Sequence, residues 1–448
     1  MDTDVLVAGG GPAGCATAAA LAQLGLRVTI VDAGQDRARQ LAGELLHPVG
    51  VEDLRALGLG EVLDAPGVQS VVGFAVVDAR SSPARHALLP YAEGHRGVAA
   101  EHAQLTTPLL EVVGRRENVT VLPKTRLAQV LRNDAQGVEV ILTRERESTN
   151  VTARLLVVAD GRASPVRKML GLESEHDRVS GMIGVTVDAA LLPFAQRGHL
   201  FVGGATLVLG YAISPTCARI MVDVPPGASA SWLKVHPELL GAVPADLRAG
   251  ILRALDEDPR AASNERRMPV SITVGSAVLV GDAAGCCHPL SASGMTSCTQ
   301  DARALQNAFI DSSDDLALAL ANYREGRRPE QRTRIALASA LYLAFSGQGP
   351  DMVALREGLF DYWHKSRKGA RVSMALLSGR EARMWVMARE YSRVVGYGML
   401  ALMRDAWSRQ LSFSELADAG MGLLGSTLPH VRTTAKGAME DWGARLGE

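Results

Sequence analysis

Three glycines near the start of the chain, Gly9, Gly11 and Gly14, stand in the order G-x-G-x-x-G directly after the apolar run Val5-Leu6-Val7. That spacing suits the binding of a pyrophosphate. Gly9 permits a tight turn, Gly11 lets the backbone approach a phosphate, and Gly14 lets the helix that follows pack on the strand before it. The start of that helix offers N–H groups and the positive end of its dipole to an anion. Asp32 closes a second strand-like stretch, Leu26 to Val31, 23 residues after Gly9, where a carboxylate accepts hydrogen bonds from ribose hydroxyls. The same glycines could form a purely structural turn, but the flanking strands and the terminal acid favour an ADP-containing ligand. These residues do not decide which one.

Two more places set a carboxylate at the end of an apolar run. Leu155 to Ala159 leads into Asp160-Gly161-Arg162-Ala163-Ser164-Pro165-Val166-Arg167. Ala277-Val278-Leu279-Val280 leads into Gly281-Asp282-Ala283-Ala284, then His288-Pro289-Leu290 and Gly294-Met295, before a helix holding Asp301 and Ala302. Open α/β sheets bind ligands at the carboxyl ends of their strands, so both aspartates stand where ligand contacts are made. Taken singly, either could cap a helix or close a turn instead.

Together and in this order, the three motifs resemble those of the FAD-dependent monooxygenases of the para-hydroxybenzoate hydroxylase type. The resemblance implies an α/β fold: a Rossmann-type, glutathione-reductase-like FAD-binding domain, a β-sheet substrate domain and a C-terminal helical region. It also implies roles. Gly9, Gly11, Gly14 and Asp32 hold the ADP part of FAD. Asp282, with Gly281, meets the ribityl chain. Pro289, Gly294 and Met295 bring backbone N–H groups and a helix N-terminus to the flavin's pyrimidine end, which is negatively charged when reduced. Asp160 and Arg167 lie between FAD and a transient NAD(P)H site. Only one complete ADP fingerprint is present, so no second Rossmann domain for NAD(P)H is expected.

Within that superfamily the chain is similar to squalene epoxidases over most of its length. The segments are Gly43-Glu44-Leu45-Leu46-His47-Pro48, Val157-Val158-Ala159-Asp160-Gly161, His288 to Thr296, Leu341 to Ser346, Leu355-Arg356-Glu357-Gly358 with Phe360-Asp361-Tyr362, and Leu376-Leu377-Ser378-Gly379. Glu44, His47 and His288 are thereby candidates for contact with the flavin, although loop packing explains Glu44 and His47 equally well. Departures are also visible. Gln40 stands where the epoxidases carry an arginine, with Arg37 and Arg39 nearby, and Gln104 replaces another. Arg39 and Gln104 are carried over as cofactor contacts. The turn that reads Thr-Gly-Gly in epoxidases is Ser291-Ala292-Ser293 here.

These motifs must be positioned by a discontinuous FAD domain, expected at 1–75, 100–178 and 268–335. Strand-like runs at His199 to Val202, Thr206 to Ile213 and Ala218 to Val224, with turn residues between them, place a substrate sheet in 76–99 and 179–267. Ala228 to Arg267 reads as helical and irregular decoration. The remaining 336–448 is helical. There Met384, Met387, Tyr391 and Val394 recur at helical spacing beside Arg380, Arg383, Arg389 and Arg393. That pattern fits a helix packed on the core with a solvated basic face, or contact with a membrane surface.

Composition narrows the function classes. The chain has 448 residues, 47% of them hydrophobic and 21% charged, ample for a large core in two or three domains. A net charge of -1, with no basic stripe, argues against nucleic acid. No run of about 18 uncharged apolar residues is found, and no basic-then-apolar leader opens the sequence, so a membrane span and a secretory signal are not expected. Five cysteines without a Cys-x-x-Cys pair suggest reduced thiols and a cytoplasmic location. Cys286 and Cys287 are expected to pack inertly, and His288 lacks ligand-spaced partners for a metal.

The resemblance therefore implies an NAD(P)H- and O2-using monooxygenase. It would epoxidise or hydroxylate a lipophilic alkene or aromatic substrate, of isoprenoid or secondary-metabolite type, through a flavin C4a-hydroperoxide. The alternatives are a flavin-dependent reductase of isoprenoid double bonds, similar to geranylgeranyl reductases, and a non-catalytic flavin-binding protein. The Asp160 to Arg167 segment favours the first reading over the reductase. A halogenase is disfavoured, because no Trp-x-Trp-x-Ile-Pro segment exists.

Overall fold

A computed structural model describes residues 2–34, 41–78 and 85–409, with side chains as far as Arg404. Arg39 and its neighbours Arg37 and Gln40 lie outside the described residues. The chain divides into two compact units: Met1–Val68, Gly97–Val179 and Glu265–Arg328 form the first, and Gln69–Arg96, Ser180–Asn264 and Pro329–Glu448 the second.

The first unit opens with strand β1 (Thr3–Ala8), helix α1 (Pro12–Ala22) and strand β2 (Val28–Asp32). Helix α1 is almost entirely alanine, glycine and other small residues, and every residue from Ala13 to Ala22 is buried. Small side chains let it lie close against the sheet. The sheet runs in the order Thr273–Val274, Ala277–Leu279, Glu147–Val158, β1, β2, Val119–Pro123. All but the first of these strands run parallel to their neighbours. Strand Glu147–Val158 does two jobs. Its first half pairs antiparallel with Gly137–Arg144, which pairs in turn with Thr125–Asp134, while its second half joins the parallel sheet beside β1. Its exposed start and fully buried end mark that change. Continuous apolar runs such as Leu155 to Val158 are what a parallel strand covered on both faces requires.

A seven-stranded sheet, most of whose residues fall in the second unit, runs in the order Arg260–Pro269, Ser174–Asp188, Cys217–Val224, Val208–Ala212, Gly198–Phe201, Gly73–Asp78, Arg85–Pro90. Residues 260–267, expected to be irregular, extend as its edge strand. One face, with Ile183, Val185, Phe201 and Val222, is covered by Leu233, Leu247 and Ile251 from the helical segment that follows Pro225. A buried polar group stands elsewhere in this unit. The Asp223 carboxylate accepts from Ser180, from Asn264 at 3.1 Å and from the Tyr342 hydroxyl at 3.0 Å.

Four helices, Leu316–Ser346, Pro350–Lys365, Arg367–Leu377 and Met384–Arg409, make up the helical region. Met384 and Met387 are buried against Ala340 and Leu376, with Tyr391 alongside. The neighbouring arginines are paired: Arg383 with Glu381, and both Arg389 and Arg393 with Glu390. The pattern is thus accounted for by packing and local charge pairing. Among the described residues, no helix is long and apolar enough to cross a membrane.

Candidate cofactor site

The sheet brings the three motifs to one edge. Ala8 is paired with Val31 on one side and Val158 on the other, and Val158 with Leu279. The loops beginning at Gly9, Ala159 and Val280, together with Asp32, therefore leave the carboxyl ends of adjacent parallel strands.

In the first loop two glycines are there for want of room and one for want of a neighbour. Gly9 has φ +117°, and a Cβ there would lie 2.3 Å from the Ala159 carbonyl oxygen. A Cβ on Gly14 would lie 1.8 Å from the Gly9 carbonyl oxygen and 3.2 Å from Val7 Cγ1, so α1 could not seat on β1. Gly11 is different: its Cβ would meet no heavy atom within 4 Å. Helix α1 starts there with no side-chain cap for its first N–H groups, and Asp32 is half-buried.

The second loop is closed by its own residues. Asp160 accepts from the Ser164 hydroxyl at 2.5 Å and from the Val166 N–H at 2.9 Å, and Ser164 caps the helix Pro165–Met169 through the Arg167 N–H. Burial pushes the Asp160 carboxyl above its usual range against these hydrogen bonds. Arg167 is only 1% exposed. Its guanidinium donates to the Ala283 carbonyl at 2.9 Å and the Arg162 carbonyl at 3.0 Å, tying the second motif to the third. Arg162, by contrast, is partly exposed and stands 3.9 Å from Asp282, whose carboxylate is also partly exposed.

The third loop is braced from outside itself. Gly281, at φ +60°, packs so closely that a Cβ would lie 2.6 Å from Ala13 Cβ. Its N–H donates to Asp301 at 2.6 Å, and Asp301 is held by Arg327 at 2.5 Å in a fully buried ion pair. The helix Gly294–Ile310 then begins with no side-chain cap, and a Cβ on Gly294 would meet nothing within 4 Å.

Segment Gly43 to Pro48 packs on that helix start. His47 donates its backbone N–H to the Thr296 hydroxyl at 3.0 Å, and its Nε2–H reaches the Ser291 carbonyl at 2.8 Å. Burial lowers its pKa to about 4, so the ring is neutral near pH 7. Gly43 lies so close to Met295 that a Cβ would come within 2.8 Å of its side chain. Glu44 is wholly buried, its carbonyl accepting from the Ala100 N–H. His288 is buried too, and its Nδ1 accepts from the Leu290 N–H at 3.2 Å as Pro289 opens a short turn. Gln104 is the outlier: its side-chain amide donates to the Pro66 carbonyl at 2.7 Å. Among the described residues no cluster of metal ligands is present.

Two residues were missed by sequence reasoning as supports, Asp301 and Arg327. Asp301 stood in the motif without a role, and only a buried cation 26 residues further on gives it one.

Uncapped helix starts, open glycine positions and a ribose-spaced aspartate at one sheet edge define a dinucleotide-binding protein. The profile of the FAD binding domain family matches residues 2–332, and the chain belongs to that family. Squalene epoxidase 3 of Arabidopsis thaliana is 27% identical over 423 residues, 90% of this chain and 79% of that one. Squalene monooxygenase of Rattus norvegicus is 27% identical over 413 residues, 88% of this chain and 71% of that one. Among solved structures, p-nitrophenol 4-monooxygenase of Pseudomonas putida DLL-E4 superposes with a TM-score of 0.72 at 19% identity, covering 85% of this chain and 99% of its own. The protein is an FAD-dependent monooxygenase.

Proposed function

We propose that this enzyme uses NAD(P)H and O2 to insert one oxygen atom into a lipophilic alkene or aromatic substrate, by epoxidation or hydroxylation. One observation carries the reading: three ligand-facing loops leave neighbouring carboxyl ends of a single parallel sheet. Bound there, FAD would supply electron transfer from NAD(P)H to O2. Gly9, Gly11 and Gly14 would seat its pyrophosphate on the start of α1, and Asp32 its adenosine ribose. Asp282 would meet the ribityl chain. Gly294 and Met295 would turn backbone N–H groups to the pyrimidine end of the flavin. Asp160 and Arg167 would act as positioning residues, one by closing its own loop, the other by fixing that loop to Ala283.

We also assign substrate binding to the second unit, with its sheet and apolar helices. The names of the relatives point to an isoprenoid alkene as the first substrate class to test, and the Ser291-Ala292-Ser293 turn to one that is not squalene itself. The test is incubation with candidate lipids, NAD(P)H and isotopically labelled O2. Label in an epoxide or hydroxyl is the expected result. A product heavier by two hydrogens, with no label, would overturn oxygen insertion in favour of double-bond reduction.

A further inference from the structure

Ser293 occupies the N-cap position of the helix Gly294–Ile310, where a serine hydroxyl ordinarily accepts a hydrogen bond from the first turn. Here it does not. Its backbone is already helical, at φ -91° and ψ 0°, and no side-chain cap forms. The hydroxyl lies instead 2.8 Å from that of Ser291, and the two residues are 3% and 6% exposed, Ser291 being the more buried.

Donor counting then leaves a remainder. Two hydroxyls carry two O–H donors, and the bond between them uses one. Among the described residues the other donor has no acceptor, although a buried donor left unmade is costly. The turn is also strained into shape. Ala292 between the serines has φ +50°, a left-handed conformation that a residue with a Cβ rarely adopts. His47 holds it from one side through the Ser291 carbonyl and from the other through Thr296. A strained turn with a spare buried donor, at a helix start beside an open glycine, is built for an acceptor that arrives with a ligand.

We propose that the Ser291–Ser293 hydroxyl pair donates a hydrogen bond to the pyrimidine ring of bound FAD and thereby raises its reduction potential. The proposal rests on the assignment of this helix start to the flavin. Reduction delivers two electrons and one proton and leaves negative charge on that ring, so a donor there strengthens in the reduced state. The backbone N–H groups and positive dipole of the helix start also favour the reduced anion, and the hydroxyl pair adds to that preference.

The experiment is a reductive titration of the FAD-loaded enzyme with dithionite against a reference dye, for wild type, Ser291→Ala, Ser293→Ala and the double variant. The expected result is retained FAD with a midpoint potential about 30 mV more negative in the double variant, a tenfold change for a two-electron couple. Ser293→Thr, which keeps the hydroxyl, restores the wild-type value. Where alanine loosens the cofactor, the ratio of affinities for reduced and oxidised FAD measures the same quantity. An unchanged potential or ratio in the double variant overturns the proposal while leaving the cofactor assignment intact. Failure of the wild type to retain FAD overturns that assignment first, and this proposal with it.

Discussion

The short helix Pro165–Met169 closes on itself, whereas the long helix Gly294–Ile310 depends on residues brought from elsewhere in the chain. In the first, Ser164 and Asp160 satisfy the N-terminal donors from within six residues. In the second, the N-terminus has no side-chain cap. It is steadied by His47 from some 250 residues upstream, and the loop leading to it by Asp301 and Arg327 downstream. A self-capped start is a finished part of the scaffold. An externally braced one keeps its own donors for a ligand, and its stability becomes a tertiary property.

That contrast can be broken most forcefully at Arg327. Replacing it by methionine strands Asp301 as a buried charge, and the expected loss is about 3–5 kcal/mol of stability, measured by chemical denaturation. FAD affinity should fall with it, because Asp301 holds the Gly281 turn. A variant as stable as wild type would show that the brace is ornamental.

His47 should give the next largest effect, through pH. The unfolded ring takes up a proton below its ordinary value of 6.5, but the folded ring does so only near 4. The contribution of neutral, buried His47 is therefore complete above pH 6.5 and is lost as pH falls towards 4, by about 3 kcal/mol. His199 in the second unit is buried and lowered to about 4 as well, so the total slope has two sources. Comparing the denaturation midpoints of wild type and His47→Gln from pH 7 to 4.5 isolates the first. Equal slopes would contradict the assignment.

Gly11→Val separates binding from folding. With no atom near the new side chain, apoprotein stability should stay within about 0.5 kcal/mol of wild type. FAD affinity should nevertheless fall at least 100-fold, roughly 2.7 kcal/mol, by equilibrium fluorescence titration. Gly14→Ala is the control, because its Cβ collides with backbone and should lower apoprotein stability. The smallest effect is expected at the self-capped helix. Ser164→Ala should cost about 1 kcal/mol, with FAD affinity near that of wild type.

The parts of the site that could be read from the sequence are those whose reason is local. A glycine that must avoid the carbonyl five residues earlier, as Gly14 must, and a carboxylate that ends an apolar strand both leave a pattern within a few dozen residues. The pairing of Asp301 with Arg327 leaves no such pattern, because a charge in a helix is ordinarily solvated and only the packed structure reveals it as buried. Arg167 likewise has the residue type of a ligand contact, yet its guanidinium is turned inward on carbonyl groups. In the helical region, periodicity at Met384 and Met387 identified a face but could not say what covered it; Ala340 and Leu376, on two other helices, do.

The strand order of the first unit also bears on how the protein is made. The strands Thr3–Ala8 and Ala277–Leu279 flank a common neighbour, yet 268 residues lie between them. Contacts so distant along the chain close slowly and late, after the local hairpin formed by 125–144 has had time to assemble. During synthesis the nucleotide cradle cannot be completed until the ribosome has passed Arg327, and until then the nascent chain carries an unfinished sheet edge. Truncations upstream of that arginine should therefore yield chains that chaperones retain.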